Sequence, residues 1–169
     1  MAHRRYYLMR HHYTSKAMVR LRHSNWKIDN ANDVSRFIKA QENMYETALA
    51  EIRNGRKESH WIWFILPQLR GLGHSYNSNY YGIDGLEEAR IYLNDSILSS
   101  RLCEIVNVLL SLQTDDPNSI FGELDTLKLK SSMTLFDAIL PNDIFLQVLD
   151  KFFQGEKDYR TLSMLNGQK

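Results

Sequence analysis

Asp33-Val34-Ser35-Arg36-Phe37-Ile38-Lys39-Ala40-Gln41-Glu42-Asn43-Met44-Tyr45-Glu46-Thr47-Ala48-Leu49-Ala50-Glu51-Ile52-Arg53-Asn54-Gly55 is the stretch that decides the fold class. Val34, Phe37, Ile38, Gln41, Tyr45, Ala48, Leu49 and Ile52 recur at steps of three and four, the spacing that collects side chains on one face of an α-helix. Asp33 stands where an N-cap belongs, and Gly55 stands where a helix stops. The spacing predicts one long helix with a single inward stripe.

The same grammar repeats downstream. Ser96 opens a long helix with Ile97, Leu98, Leu102, Ile105, Val106, Leu109 and Leu110 inward. Asp116-Pro117 reads as N-cap and first-turn proline of a short helix closed by Gly122. Another long helix is expected from about Asp125 to Ile139, and a further one from Asn142 that carries Phe145, Val148, Leu149 and Phe152 and stops at Gly155. Asp158 caps a last short helix, and shorter pieces cover His60 to Leu66 and Leu86 to Leu93. No stretch alternates as a strand does, and no internal repeat appears. The expected architecture is all-α, a compact bundle of about six to eight helices of mixed length.

A chain of 169 residues has the size of one domain. Its single cysteine, Cys103, excludes an internal disulfide and a cysteine-only zinc site, and suits a reducing, cytoplasmic setting. The longest apolar run, Trp61 to Leu66, is six residues, where a bilayer span needs roughly 20, so no membrane partner is expected. The N-terminus has no apolar stretch of the signal-peptide kind.

Charge is unevenly placed. Residues 1–28 hold seven Lys or Arg and no acid, whereas the whole chain has 21 basic and 20 acidic residues. The division expected is a basic N-terminal arm, 1–28, outside a helical domain, 29–169. The arm reads as a leader, as a cationic arm for nucleic acid or an anionic surface, or as an organelle transit segment. Nucleic acid is expected as a partner only through this arm, because the remainder is acidic.

Three segments depart from plain amphipathic patterning. The first is Ser59-His60-Trp61-Ile62-Trp63-Phe64-Ile65-Leu66-Pro67-Gln68. Its aromatics point around most of a helix, which fits a buried core piece, and Trp61 or Trp63 also suits a stacking wall. His60 and Gln68 flank the run; His60 reads either as a hydrogen-bonded cap or as the acid/base group of a site. The second is Arg70-Gly71-Leu72-Gly73-His74-Ser75. It has no preceding strand and no third glycine, so it is no dinucleotide fingerprint. It reads as a plain turn, or as a loop whose amides, with Arg70, Gly71, Gly73 and Ser75, reach an anion. The third is Asp125 to Phe136, where Lys128, Ser131 and Ser132 share one helix face and Asp125 can orient Lys128. Ser131, Ser132 and Thr134 go against helix propensity, which marks either close packing or a polar site. No metal-ligand spacing is present and no cofactor is implied.

These segments carry a resemblance. Arg36-Phe37…Ala40-Gln41, Gly55-Arg56-Lys57…Ser59-His60-Trp61-Ile62-Trp63-Phe64…Pro67-Gln68…Gly71-Leu72-Gly73…Ser75 and Ile120-Phe121-Gly122…Asp125…Lys128-Leu129…Ser131-Ser132-Met133-Thr134-Leu135-Phe136 are similar to the family of domain of unknown function 1810, over about residues 33 to 165. The resemblance implies an all-helical fold and no established reaction.

The residue chemistry points to a pocket for a small anionic molecule, nucleotide-like or ADP-ribose-like, with hydrolytic cleavage as the reaction class to test. Its candidate set is His60 as acid/base, with Trp61, Trp63, Gln68, Arg70, Gly71, Gly73, Ser75, Lys128, Ser131, Ser132 and Thr134 as ligand-binding residues. The competing reading is a non-catalytic interaction module, whose partner is a protein and whose aromatics and serines are core.

Overall fold

Aspartates cap four of the helices among the described residues. Asp95 accepts the backbone N–H groups of Ile97 and Leu98 at 2.9 Å each, Asp116 that of Asn118 at 2.9 Å, Asp143 that of Ile144 at 2.7 Å and Asp158 that of Thr161 at 2.8 Å. Each bond satisfies a donor that has no partner within the helix, and each carboxylate faces the positive end of the helix dipole. The computed structural model describes residues 33–167, so the basic arm expected at 1–28 lies outside the described residues.

Among the described residues the elements are α1 (Ser35–Gln41), α2 (Tyr45–Arg53), α3 (Ile62–Ile65), α4 (Tyr76–Tyr80), α5 (Gly85–Asn94), α6 (Ser96–Ser111), α7 (Pro117–Ile139), α8 (Ile144–Phe153) and α9 (Tyr159–Asn166). The chain is all-α there. The one extended contact is an isolated parallel bridge between Leu69 and Ile83. Its backbone bonds are Arg70 N–H to Ile83 O and Ile83 N–H to Gln68 O, both 2.9 Å.

Two elements differ from the sequence expectation. The long first helix is two, because at 42–44 the chain tightens: the Met44 N–H bonds to Gln41 O, three residues back, at 3.2 Å. Gln41 is buried there, and its amide donates to Phe64 O at 2.7 Å and Tyr92 Oη at 3.2 Å. The stripe still points inward across the break, since Phe37, Gln41, Tyr45, Ala48, Leu49 and Ile52 are all buried. The short α4, which no apolar period announces, forms because Ser75 caps it, accepting the Ser78 N–H at 3.1 Å. Elsewhere the expected stop at Gly122 is a kink inside α7, where φ is 72° and ψ 167°, a conformation that glycine takes without a side-chain clash.

α6 and α7 form the centre. α6 packs against α1, α2, α5 and α8; α7 packs against α5, α8 and α9. The described residues share one hydrophobic core. A file of rings runs through it: Phe37 to Tyr92 (5.1 Å between centroids), Tyr92 to Phe136 (5.4 Å) and Phe136 to Phe145 (5.4 Å). Tilted and edge-on rings at these separations add to the stabilisation that comes from burial. No described helix is long and apolar enough to cross a membrane.

Lys151 closes the exposed end of α6 from α8. Its ammonium donates to Leu109 O at 3.2 Å, Leu110 O at 2.9 Å and also Leu112 O. These carbonyls cluster at the helix end, where acceptors outnumber backbone donors; Leu109 O also accepts the Leu112 N–H at 3.3 Å. Burial lowers the lysine's pKa, and Asp115 nearby opposes that shift. Lys151→Met is expected to destabilise the fold by about 1–3 kcal/mol, by stranding those carbonyls. Urea unfolding at pH 7 measures this, and an unchanged midpoint would show that water replaces the ammonium freely.

Candidate functional site

The segment between α2 and α3 is held from below by one carboxylate. Glu51, on the inward side of α2, accepts the Glu58 N–H at 2.9 Å, the Ser59 N–H at 3.0 Å and the Trp61 indole N–H at 2.7 Å. Burial alone would raise its pKa, but the hydrogen bonds from Ser59, Glu58 and Trp61 outweigh burial and hold it down to about 2. Trp61 is therefore fully buried with its N–H used. His60, one residue before it, is exposed.

Above this floor a charged cluster joins the segment to α7. Asp125 takes Lys57 Nζ on one oxygen at 2.6 Å and Lys128 Nζ on the other at 2.7 Å. The side-chain exposures are 7% for Lys57, 17% for Asp125 and 24% for Lys128. Burial pushes the Asp125 carboxyl up, and the two ammonium groups pull it further down, for a net lowering. Each lysine also lies over an indole ring: Lys57 Nζ is 5.2 Å from the Trp61 centroid and Lys128 Nζ 5.1 Å from that of Trp63. Such cation–π contacts orient an ammonium without using up its hydrogen-bond donors.

The glycine loop is built by close approach. Gly71 (φ 96°) packs so that a Cβ would sit 3.4 Å from Met164 Cε of α9. A Cβ on Gly73 would come within 2.8 Å of the Ser78 hydroxyl and 3.7 Å of the Gln68 amide nitrogen. Arg70 and Arg36 both reach the backbone of the following turn, donating to Gly82 O at 3.3 Å and 3.1 Å.

The family described as Protein of unknown function (DUF1810) matches residues 31–165. The chain belongs to the DUF1810 family. The crystal structure at 1.38 Å of the conserved hypothetical protein Rv1873 from Mycobacterium tuberculosis is similar to it, with 43% sequence identity and a TM-score of 0.78 over 80% of this chain and 97% of that one. No curated protein matches the chain. Every residue of the charged cluster lies inside the DUF1810 match, and the basic arm lies outside it.

Hydrogen-bond accounting divides the candidate residues of this DUF1810 domain. Trp61 is taken by Glu51; Arg70 donates to Asn79 O and Gly82 O; Ser75 caps α4. Thr134 donates to Lys130 O and accepts the Asp158 N–H, each at 2.8 Å, tying α9 to α7. These four have structural partners. By contrast the Trp63 N–H, the Ser132 and Thr126 hydroxyls and, on α5, the Asn94 amide oxygen are buried and unmatched among the described residues. Gln68 and Ser131 are also buried, at 7% and 6% exposure. Buried polar groups nearly always find partners, so a concentration of unmatched donors on α3 and α7 calls for an explanation. Lys128 is where those two elements meet.

Lys57 and Glu51 do not stand out in the sequence as site residues. Lys57 is one of several cations on a polar stretch, and only the fold brings it to an aspartate 68 positions on. Glu51 stands between Ala50 and Ile52, one position off the inward stripe. Nothing local announced that four donor contacts would converge on it.

Proposed function

We propose that this DUF1810 domain binds a small anionic molecule, nucleotide-like or ADP-ribose-like, where α3 meets α7. The observation that carries the reading is Lys128 Nζ seated 5.1 Å from the Trp63 ring, with the Trp63 N–H on α3 and the Ser132 hydroxyl, one helical turn after Lys128 on α7, buried and unmatched. An ammonium held over an aromatic face, on elements that also carry neutral donors, is equipment for holding the anionic group of such a molecule. Met164 links the glycine loop to α9, and Thr134 links α9 to α7, which supports including Gly71, Gly73, Gln68 and Ser131 in the same region. Trp61, Arg70, Ser75 and Thr134 serve this reading as supports, since their polar groups are engaged. Cleavage of a glycosidic or phosphoester bond is the reaction class to test, with exposed His60 as the proton-transfer group. A buried Cys103 is in keeping with a reducing, cytoplasmic setting.

The test is a titration of the full chain with nucleotides and nucleotide sugars, read by Trp fluorescence and thermal shift together. A ligand is expected to quench Trp63 and raise the melting temperature, and Lys128→Ala is expected to weaken it about 10- to 100-fold, the loss of a charge-assisted contact. A flat response from a folded protein would instead favour an interaction module. That second reading rests on Leu124 and Leu127, 76% and 62% exposed, adjacent on α7 and next to the charged cluster.

A further inference from the structure

We infer that the site takes an internal phosphodiester, with one negative charge per phosphate, in preference to a terminal phosphate monoester, and that Asp125 sets that preference. The inference rests on the anion-binding reading above and specifies its ligand. Two ammonium groups converge on one carboxylate, so the cluster carries a surplus of one positive charge. Lys57 is the more enclosed lysine and its backbone N–H is fixed to Ile120 O at 2.8 Å, so its charge stays with Asp125. Lys128, more exposed and lying along the Trp63 ring, is the one whose charge faces a ligand. The unmatched Trp63 N–H and Ser132 hydroxyl on the same two elements are neutral. Glu51, bonded to the indole that Lys57 overlies, adds negative charge to the surroundings and not positive.

A single anionic charge is matched by this arrangement. A phosphate monoester above its second pKa, near 6, brings another charge with no cation left to pair it, and a partly buried unpaired charge is costly. The same arithmetic favours a pyrophosphate bridge, in which each phosphate is singly charged, over a free mononucleotide.

The probes are adenosine 5′-monophosphate and its 5′-phosphate methyl ester, which share base and ribose and differ by about one charge at pH 7.5. Affinities for the full chain are measured by Trp fluorescence at roughly 0.15 M salt, where contacts of only a few ångströms are weakly screened. The methyl ester is expected to bind about 5-fold tighter or better. Asp125→Asn adds one positive charge and is expected to bring the ratio to unity or invert it. Lys57→Met removes one, leaves Asp125 paired with Lys128, and is expected to widen the ratio about 10-fold; it decides the matter if Asp125→Asn does not fold. Tighter binding of the monoester by the wild type, or a ratio that neither variant moves, would overturn the inference while leaving the anion site standing. Binding of neither probe at millimolar concentration would remove the underlying reading and this one with it.

Discussion

Arg36→Met is expected to cost about 3–5 kcal/mol of folding stability, the range for breaking a buried ion pair from one side. The guanidinium makes a two-pronged contact with Glu88, 2.6 Å from Oε1 and 3.0 Å from Oε2. Glu88 is 2% exposed, and without Arg36 its charge keeps only the Asp84 N–H at 2.7 Å. The same arginine also donates to Asp33 O at 2.8 Å, Tyr80 O at 2.9 Å and Gly82 O at 3.1 Å. One side chain thus joins the start of α1 to the turn after α4 and to α5. Urea unfolding of Arg36→Met, Glu88→Leu and the double variant tests this. The double variant is expected to recover part of the loss but not all, because the freed carbonyls remain. A single-variant cost below about 1 kcal/mol would mean that water reaches Glu88. Arg36 and Arg70 hold the same Gly82 carbonyl, so loosening the first should also blunt any thermal shift produced by ligand at the glycine loop.

Glu51→Gln is expected to cost about 2–4 kcal/mol at pH 7, since a buried acceptor that serves several N–H groups is replaced by an amide with one acceptor oxygen and an N–H₂ that opposes those donors. The pH dependence has a definite sign. The folded pKa, about 2, lies below the ordinary 4.5, so the folded state favours the ionised form. That stabilisation is complete above pH 4.5 and is lost as the pH falls toward 2. The gap in unfolding free energy between wild type and Glu51→Gln should therefore be constant from pH 8 to about 5 and shrink by pH 3. Other carboxylates titrate in both proteins and cancel in the difference. A gap that stays constant down to pH 3 would show that the hydrogen bonds serve the protonated acid equally well. Because Glu51 fixes the Trp61 ring and the chain at Glu58 and Ser59, the variant should also shift Trp fluorescence.

The helices were legible because each carries its own instructions. Asp116-Pro117, Ser96 after Asp95, and Asp158 are local caps that act within three residues, and the three-and-four spacing of Leu98, Leu102, Ile105, Val106 and Leu109 needs no distant partner to be read. The division of the first stripe was not legible. The residues that tighten at 42–44 do so around Gln41, whose hydrogen-bond partners, Phe64 O and Tyr92 Oη, come from elsewhere in the chain. The short α4 was hidden for a similar reason. It has a serine cap but leaves Tyr76 and Tyr80 exposed and stacked on each other at 5.7 Å, so it shows no apolar period.

For the candidate site the division is sharper. The sequence by itself determined which residue types were unusual: the aromatic run, the paired glycines, and hydroxyls at Ser131, Ser132 and Thr134 inside a helix. It also placed Asp125 and Lys128 one turn apart, which is enough for their ion pair at 2.7 Å. Only the tertiary structure decided which of these groups are already occupied. Trp61 and Trp63 are two residues apart and chemically identical, yet one indole N–H is bonded to Glu51 and the other is unmatched. Thr134 and Ser132 differ in the same way, because the Asp158 backbone arrives at one and not at the other. Local spacing specifies backbone hydrogen bonds within an element, whereas the partners of buried side chains come from segments tens of residues away. Whether a polar group is left free for a ligand is therefore a property of the assembled core.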